Sequence, residues 1–159
     1  MSAALIELRP ARPDDLPSVV ALLDACGLPI GDVTKAMLAS FCVAETEGNI
    51  VGVAGLEAFD IVGLLRSLAV AEDQRGGGLA ARLVDWCEAG ARRRGVETAY
   101  LLTTTAAEYF RKRGYEDVPR DAVPATIAGH AQFRGLCPAS AKCLAKHLAR
   151  SCDARVDRR

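Results

Sequence analysis

The stretch DQRGGGLAARL, residues 73–83, sets three consecutive glycines, Gly76, Gly77 and Gly78, directly ahead of a run with helical apolar spacing. Glycine costs about 1 kcal/mol against alanine inside a helix, so a triplet at a helix start needs compensation from elsewhere. The segment before it, Leu64-Leu-Arg-Ser-Leu-Ala-Val70, reads as a strand. Strand, short turn, Arg75 and the glycines then make an anion cradle, in which unhindered amides point at the ligand and the helix N-terminus adds partial positive charge. The plainer reading is a flexible strand-to-helix connection. Neither GxxxxGK[ST] nor GxGxxG after a first strand occurs, so the two familiar nucleotide-phosphate loops do not fit.

Outward from the glycines the pattern alternates between strand and helix. Ile6 and Leu8 alternate with Glu7 and Arg9 as a first strand. Pro13–Pro17 opens a helix with Val19, Val20, Leu22, Leu23 and Cys26 on one face, stopped by Gly27. Residues 32–39 suit a short second helix. Phe41–Glu45, a Glu47-Gly48-Asn49 turn and Ile50–Glu57 read as a hairpin, and Ile61–Val70 extends it. Ile50–Leu56 is apolar on both faces, as an interior strand is. A helix over Leu79–Arg94 puts Leu79, Leu83, Trp86 and Cys87 at spacings of three and four. Thr98–Leu102 is a strand, Ala106–Arg113 a shorter helix, and Tyr115–Val118 and Ser140–Leu148 are further strands. Asp121–Leu136 is weakly patterned, and Ser151–Arg159 is a polar tail. This order indicates an α/β chain with a mixed sheet and helices on both faces, in one domain over residues 1–150.

Composition narrows the partners. Twenty basic against twenty acidic residues in 159 remove the global electrostatic drive toward nucleic acid or an anionic membrane. A start without a basic, long apolar leader, and no apolar window of bilayer length, lead us to expect a cytoplasmic protein. Six cysteines, Cys26, Cys42, Cys87, Cys137, Cys143 and Cys152, form no CxxC and no metal-like pairing with His130 or His147. No metal site is expected, and most of the thiols read as buried packing groups.

Arg75-Gly76-Gly77-Gly78-Leu79-Ala80 resembles the acetyl-CoA loop R/Q-x-x-G-x-G/A of the GNAT acetyltransferases at every defined position. Leu68-Ala69-Val70 resembles the strand whose backbone pairs with pantetheine in that family, and Thr103–Tyr115 resembles its N-x-x-A-x-x-L-Y-x-x-x-G-F block. The blocks LLRSLAV, YLLTTTAAEYF and FRGLCPASA are further similar to N-acetyltransferases associated with bacterial arsenic-resistance genes, and to short N-acetylglutamate synthases. The resemblance implies a GNAT fold with a mostly antiparallel sheet splayed at the cofactor cleft. It implies acetyl-CoA as cosubstrate, held by Leu68, Ala69, Val70, Arg75, Gly76, Gly77, Gly78, Leu79, Ala80, Thr103 and Phe110. It also implies a small-molecule amine substrate and a homodimer paired through C-terminal strands.

The chain departs from the family where a Tyr four residues before the Gly protonates the departing thiolate: Phe110 stands there, with Tyr109 one place earlier. Adjacent helical residues point about 100° apart, so Tyr109 either packs in the core or reaches sulfur from a rotated helix. A thiol with a pKa near 8.5 is a tolerable leaving group without an acid. Thr105-x-x-Glu108 reads as a capping box, which makes Glu108 structural. An α-amine is roughly 10% neutral at pH 7, whereas a lysine needs about 3.5 kcal/mol more to deprotonate, so a site poor in bases favours the α-amine. Glu57, ending a strand, is the candidate base or substrate contact, against a solvated strand end. Alternation puts Arg66 on the face of Leu64, Leu68 and Val70, where a lone charge needs either a protein carboxylate or a substrate anion. Arg134 in FRGLCPASA is a second candidate anion contact. The expected activity is N-acetylation of an amino acid-like amine by direct attack on the thioester, with a role in arsenic or toxic-metabolite resistance. A protein or peptide acetyltransferase and a CoA-binding sensor without turnover are the alternatives.

Overall fold

The structure, a computed structural model, describes residues 5–137 and 140–148. In chain order the elements are β1 (Glu7–Pro10), α1 (Leu16–Ala25), β2 (Phe41–Thr46), β3 (Asn49–Phe59), β4 (Val62–Val70), α2 (Leu79–Arg93), β5 (Thr98–Thr103), α3 (Ala107–Lys112), β6 (Glu116–Asp117), α4 (Ala125–Ala128) and β7 (Lys142–His147). The seven strands form one sheet in the order β1-β2-β3-β4-β5-β7-β6. Pairing is antiparallel for β1/β2, β2/β3, β5/β7 and β6/β7, and parallel for β4/β5, where Val62–Leu64 lies beside Thr98–Tyr100. The mixed, mostly antiparallel sheet expected from the sequence is therefore present. The backbone groups into two compact units, one built from the chain up to Glu57 together with Arg66–Cys87, the other from Ala58–Leu65 and the chain from Glu88 onward.

In the first unit, Val19 and Leu23 of α1 pack with Leu38, Phe41, Val43, Val53 and Ala69 in one buried cluster. Burying a side chain of this size contributes roughly 1.5–3 kcal/mol. Val51–Leu56 are buried at every position, as their unbroken apolar run requires. The β2/β3 turn is tighter than expected: Thr46 pairs with Asn49, so only Glu47 and Gly48 turn, both at positive φ. That is the backbone twist favoured in two-residue hairpins. Arg9 ties β1 to the start of α1 and to β2, donating from Nη1 to Asp15 Oδ2 at 2.8 Å and from Nε to Glu45 Oε1 at 2.7 Å. The Arg9 hydrogen bond, helped by the Arg12 amide, holds the Asp15 carboxyl below its ordinary value against the opposing effect of burial.

In the second unit β5 lies between the start of β4 and β7, and Leu64, Val96, Ala99, Leu101, Phe110, Tyr115, Ile127, Leu144 and Leu148 are buried. Four expectations need correction. Residues 32–39 form no α-helix; a 3-10 turn covers Ala36–Ser40. Trp86 is 38% exposed, while Val84, Glu88 and Ala91 join Leu83 and Cys87 on the buried face of α2. The weakly patterned stretch contains α4 and a π turn over Gln132–Leu136. Thr105 does not cap α3: the N-cap is Ala106, and Thr103 Oγ1 accepts from the Ala106 amide at 2.9 Å. The tail expected over 151–159, with Cys152, lies outside the described residues.

Candidate active site

The glycine loop is shaped by its own backbone. Gly76 and Gly78 have φ of +88° and +84°, a conformation that side-chain-bearing residues adopt only with strain. Gly77 needs no such exemption, and a Cβ built on it meets nothing within 4 Å. The backbone thus favours glycine at two of the three positions, and open space lies where a Cβ would stand at all three. Behind the loop, Arg75 turns back and donates from Nε to the Val70 carbonyl at 3.0 Å, with Nη2 at 3.5 Å from Cys26 Sγ. The 15-residue α2 follows at once. Its first amides have no intrahelical partners, and the helix dipole is positive there. An open, amide-rich cradle of this kind fits the diphosphate of a coenzyme A.

A second cluster in the same unit surrounds Arg66, whose side chain is fully buried. It donates from Nη1 and Nη2 to Asp32 Oδ2 and Oδ1, both at 2.6 Å, from Nη1 to Glu57 Oε2 at 2.9 Å, and from Nε to Ser67 Oγ at 3.0 Å. Burial lowers the guanidinium pKa, and the hydrogen bonds of Asp32 and then Glu57 more than reverse it, so the net shift is upward. Phe41 lies under the guanidinium, 5.9 Å from its ring centroid. The Phe41 ring occupies the place a Gly55 Cβ would take, so glycine at 55 is what admits the ring. Of the two partners expected for Arg66, the structure shows the protein carboxylates. Ser67, at φ +60°, interrupts the alternation in β4, so Leu68 is half-exposed while Arg66 is buried.

The other candidates belong to the second unit. Tyr109 and Phe110 sit in the first turns of α3, their rings edge to face at 5.2 Å, with Phe110 buried and the Arg113 guanidinium 6.0 Å from the Tyr109 ring centroid. Arg134 is exposed in the π turn and lines an open hollow of about 600 Å³ with Gly129, Ala131 and Gly135. Arg120 supports that turn, donating to the Phe133 carbonyl at 3.5 Å and the Ala141 carbonyl at 3.3 Å. Glu108 pairs with Arg111 at 3.1 Å, a surface contact along α3. Among the described residues no cluster of His, Cys, Asp or Glu suits a metal, and no helix is long and apolar enough to cross a membrane.

Residues 38–117 match the family model described as an acetyltransferase (GNAT) domain. The chain belongs to the GNAT family. It is 37% identical over 99 residues to the amino-acid acetyltransferase of Ectopseudomonas mendocina, an alignment covering 61% of this chain and 23% of that protein. The N-acetylglutamate synthase of Neisseria gonorrhoeae, solved with coenzyme A and N-acetyl-glutamate, superimposes with a TM-score of 0.80 at 26% identity over 94% of this chain and 36% of the other. Rv2747 of Mycobacterium tuberculosis, solved with CoA and NLQ, shares the fold at a TM-score of 0.76 and 22% identity, over 90% of this chain and 99% of that one. The chain thus spans about a quarter of the curated relative and about a third of the Neisseria chain. The matched segment contains the glycine loop, Arg66, Glu57, Thr103, Tyr109 and Phe110, whereas Arg134 lies beyond it.

The sequence reading missed Asp32, which brings two of the Arg66 hydrogen bonds, because a single aspartate in a loop carries no periodic signal. A lone arginine on an otherwise apolar strand was the available clue, since it demands carboxylates from somewhere.

Proposed function

We propose that this GNAT chain transfers an acetyl group from acetyl-CoA to the amine of a small amino acid, with an N-acetylglutamate synthase-like substrate class. The observation that carries the reading is the loop before α2, with left-handed Gly76 and Gly78 flanking an unobstructed Gly77. The relatives' names, amino-acid acetyltransferase and N-acetylglutamate synthase, support an amino acid as acceptor.

Acetyl-CoA supplies the activated acetyl thioester. Gly76, Gly77, Gly78, Leu79 and Ala80 offer backbone amides to its diphosphate, and Arg75, braced on the Val70 carbonyl, holds the loop's first residue against β4. Leu68, Ala69 and Val70 present strand backbone groups to pantetheine, apart from the Val70 carbonyl that Arg75 takes, while Thr103 and Phe110 line the cofactor. Glu57, with Oε2 held by Arg66, accepts the proton that the substrate amine must lose, directly or through a water. Arg66 acts through this grip rather than by binding a substrate anion itself, and Arg134 takes the substrate carboxylate. The Tyr109 hydroxyl supplies the proton for the thiolate. Holding amine and acetyl donor together supplies much of the acceleration.

A free-thiol release assay with a panel of α-amino acids tests this reading. The panel includes glutamate and its arsenic- and phosphorus-containing analogues, the substrates suggested by the arsenic-resistance resemblance. CoA release that depends on an acidic α-amino acid is the expected result. Release only with lysine peptides would replace it by peptide acetylation. Phe110 at the usual Tyr position favours one other reading, a CoA-binding module without turnover, for which acetyl-CoA binds and no amine releases CoA. Sedimentation of the same preparation tests the homodimer.

A further inference from the structure

Glu88 is a carboxylate only 2% exposed in the last turns of α2, and the chemistry assigned above makes no use of it. Buried carboxylates persist where they are paired, and this one has three partners from different parts of its unit. Tyr115 Oη donates to Oε2 at 2.9 Å, Lys146 Nζ of β7 donates to Oε1 at 2.9 Å, and Arg92 Nη2 lies 3.7 Å from Oε1. The Lys146 ammonium also stands 5.6 Å from the centroid of the Tyr115 ring.

Tyr115 extends the network toward α3. Its ring meets Phe110 edge to face at 5.5 Å, Phe110 meets Tyr109 in the same way at 5.2 Å, and the Tyr115 amide donates to the Phe110 carbonyl at 3.0 Å. A six-residue helix such as α3 is too short to be stable alone, so the setting of its side chains comes from what it leans on. Apolar contact can bury a ring without fixing its rotation about the contact. A directional hydrogen bond at the far end of Tyr115 fixes it.

We infer that Glu88, with Lys146, is a positioning group that locks Tyr115 and, through the Tyr115–Phe110–Tyr109 stack, sets where the Tyr109 hydroxyl points. This rests on the reading of Tyr109 as the proton source for the thiolate. Adjacency in the helix makes Tyr109 no automatic replacement for the family tyrosine, and the stack is the physical means of aiming it. A carboxylate kept at a buried position where an apolar residue would cost little is accounted for by that directional demand.

The test uses the full chain carrying 3-fluorotyrosine at its three tyrosines, Tyr100, Tyr109 and Tyr115, with ¹⁹F spectra read beside steady-state kinetics. Glu88→Gln is expected to shift or split the Tyr109 resonance and leave Tyr100 in place. It should lower kcat by about tenfold or more while KM for acetyl-CoA stays within about twofold, the pattern of a displaced reacting group. Lys146→Met should do the same, and Lys146→Arg should recover most of the loss; this pair decides the matter if the Glu88 variant does not fold. A lowered melting temperature with the Tyr109 resonance and kcat unchanged in both Glu88→Gln and Lys146→Met would overturn the inference and leave the cluster as packing. Tyr109→Phe separates the two claims: if it leaves kcat unchanged, the proton-source reading falls, and the Tyr109 resonance alone decides the positioning network.

Discussion

Two of the places in the first unit that concentrate polar groups are built in opposite ways. Around Arg66 every charge is answered from within the chain: one guanidinium, two carboxylates and a hydroxyl, closed over by Phe41. In the loop over Arg75–Ala80 the polar groups are backbone amides at the head of a helix, with open space at Gly77. A buried charge that lacks a partner is intolerable, so the first region completes itself. A solvated amide costs nothing to leave open, so the second can await an anion. The first region therefore bears on stability and, in the function proposed, on proton transfer through Glu57, whereas the second bears on cofactor binding, and substitutions should separate stability from binding.

The largest effect is expected at Arg66. Arg66→Ala leaves Asp32 and Glu57 as adjacent, partly buried carboxylates, and should cost about 3–5 kcal/mol in urea unfolding. Arg66→Lys, which keeps the charge and loses the fork, should cost less. If Arg66→Ala unfolds at the wild-type urea midpoint, the closed character of this cluster is wrong. Gly77→Asp sharpens the contrast from the other side. It should raise the Kd for acetyl-CoA at least 100-fold, about 2.7 kcal/mol, with the urea midpoint unchanged. Within the loop, Gly76→Ala should lower stability by about 1 kcal/mol because of its left-handed φ, and Gly77→Ala should not.

A second self-completed cluster gives a pH test. Hydrogen bonding from Arg9 depresses the Asp15 pKa in the folded chain, so its stabilisation is present above the ordinary carboxylate pKa. It fades as the pH falls below about 4 toward the depressed value. Asp15→Asn should remove that part of the acid dependence of urea unfolding; an unchanged acid limb would contradict the pairing. The smallest effect concerns thiols. Burial pushes Cys143 up to about 11, whereas Cys26 is only half-buried beside Arg75. Iodoacetamide at pH 8 should label Cys26 before Cys143, and acetyl-CoA should slow only the Cys26 reaction, as peptide mass mapping will report.

Local signals made much of this legible. The apolar run over Ile50–Leu56 marked an interior strand, Gly48 marked a turn, and the glycine triplet marked the loop before α2. Failures came where tertiary contacts overrode local pattern. Trp86 has the apolar spacing of the α2 face yet is exposed, while Glu88 is buried on that helix because of partners no local pattern shows, Tyr115 and Lys146, 27 and 58 residues away. Thr105 and Glu108 have capping-box spacing, yet Thr103 takes the amide because the chain leaving β5 turns earlier. Asp32 finds Arg66 across 34 residues, a pairing that no spacing rule reveals.

The claim on which the functional reading depends is that the amides from Gly76 to Ala80 grip the cofactor's diphosphate. Amide ¹H–¹⁵N spectra recorded during titration with acetyl-CoA address it residue by residue. We expect these five resonances to shift with the cofactor, downfield in ¹H as charge-assisted hydrogen bonds form. Saturable shifts elsewhere in the chain while these five stay in place would contradict the account.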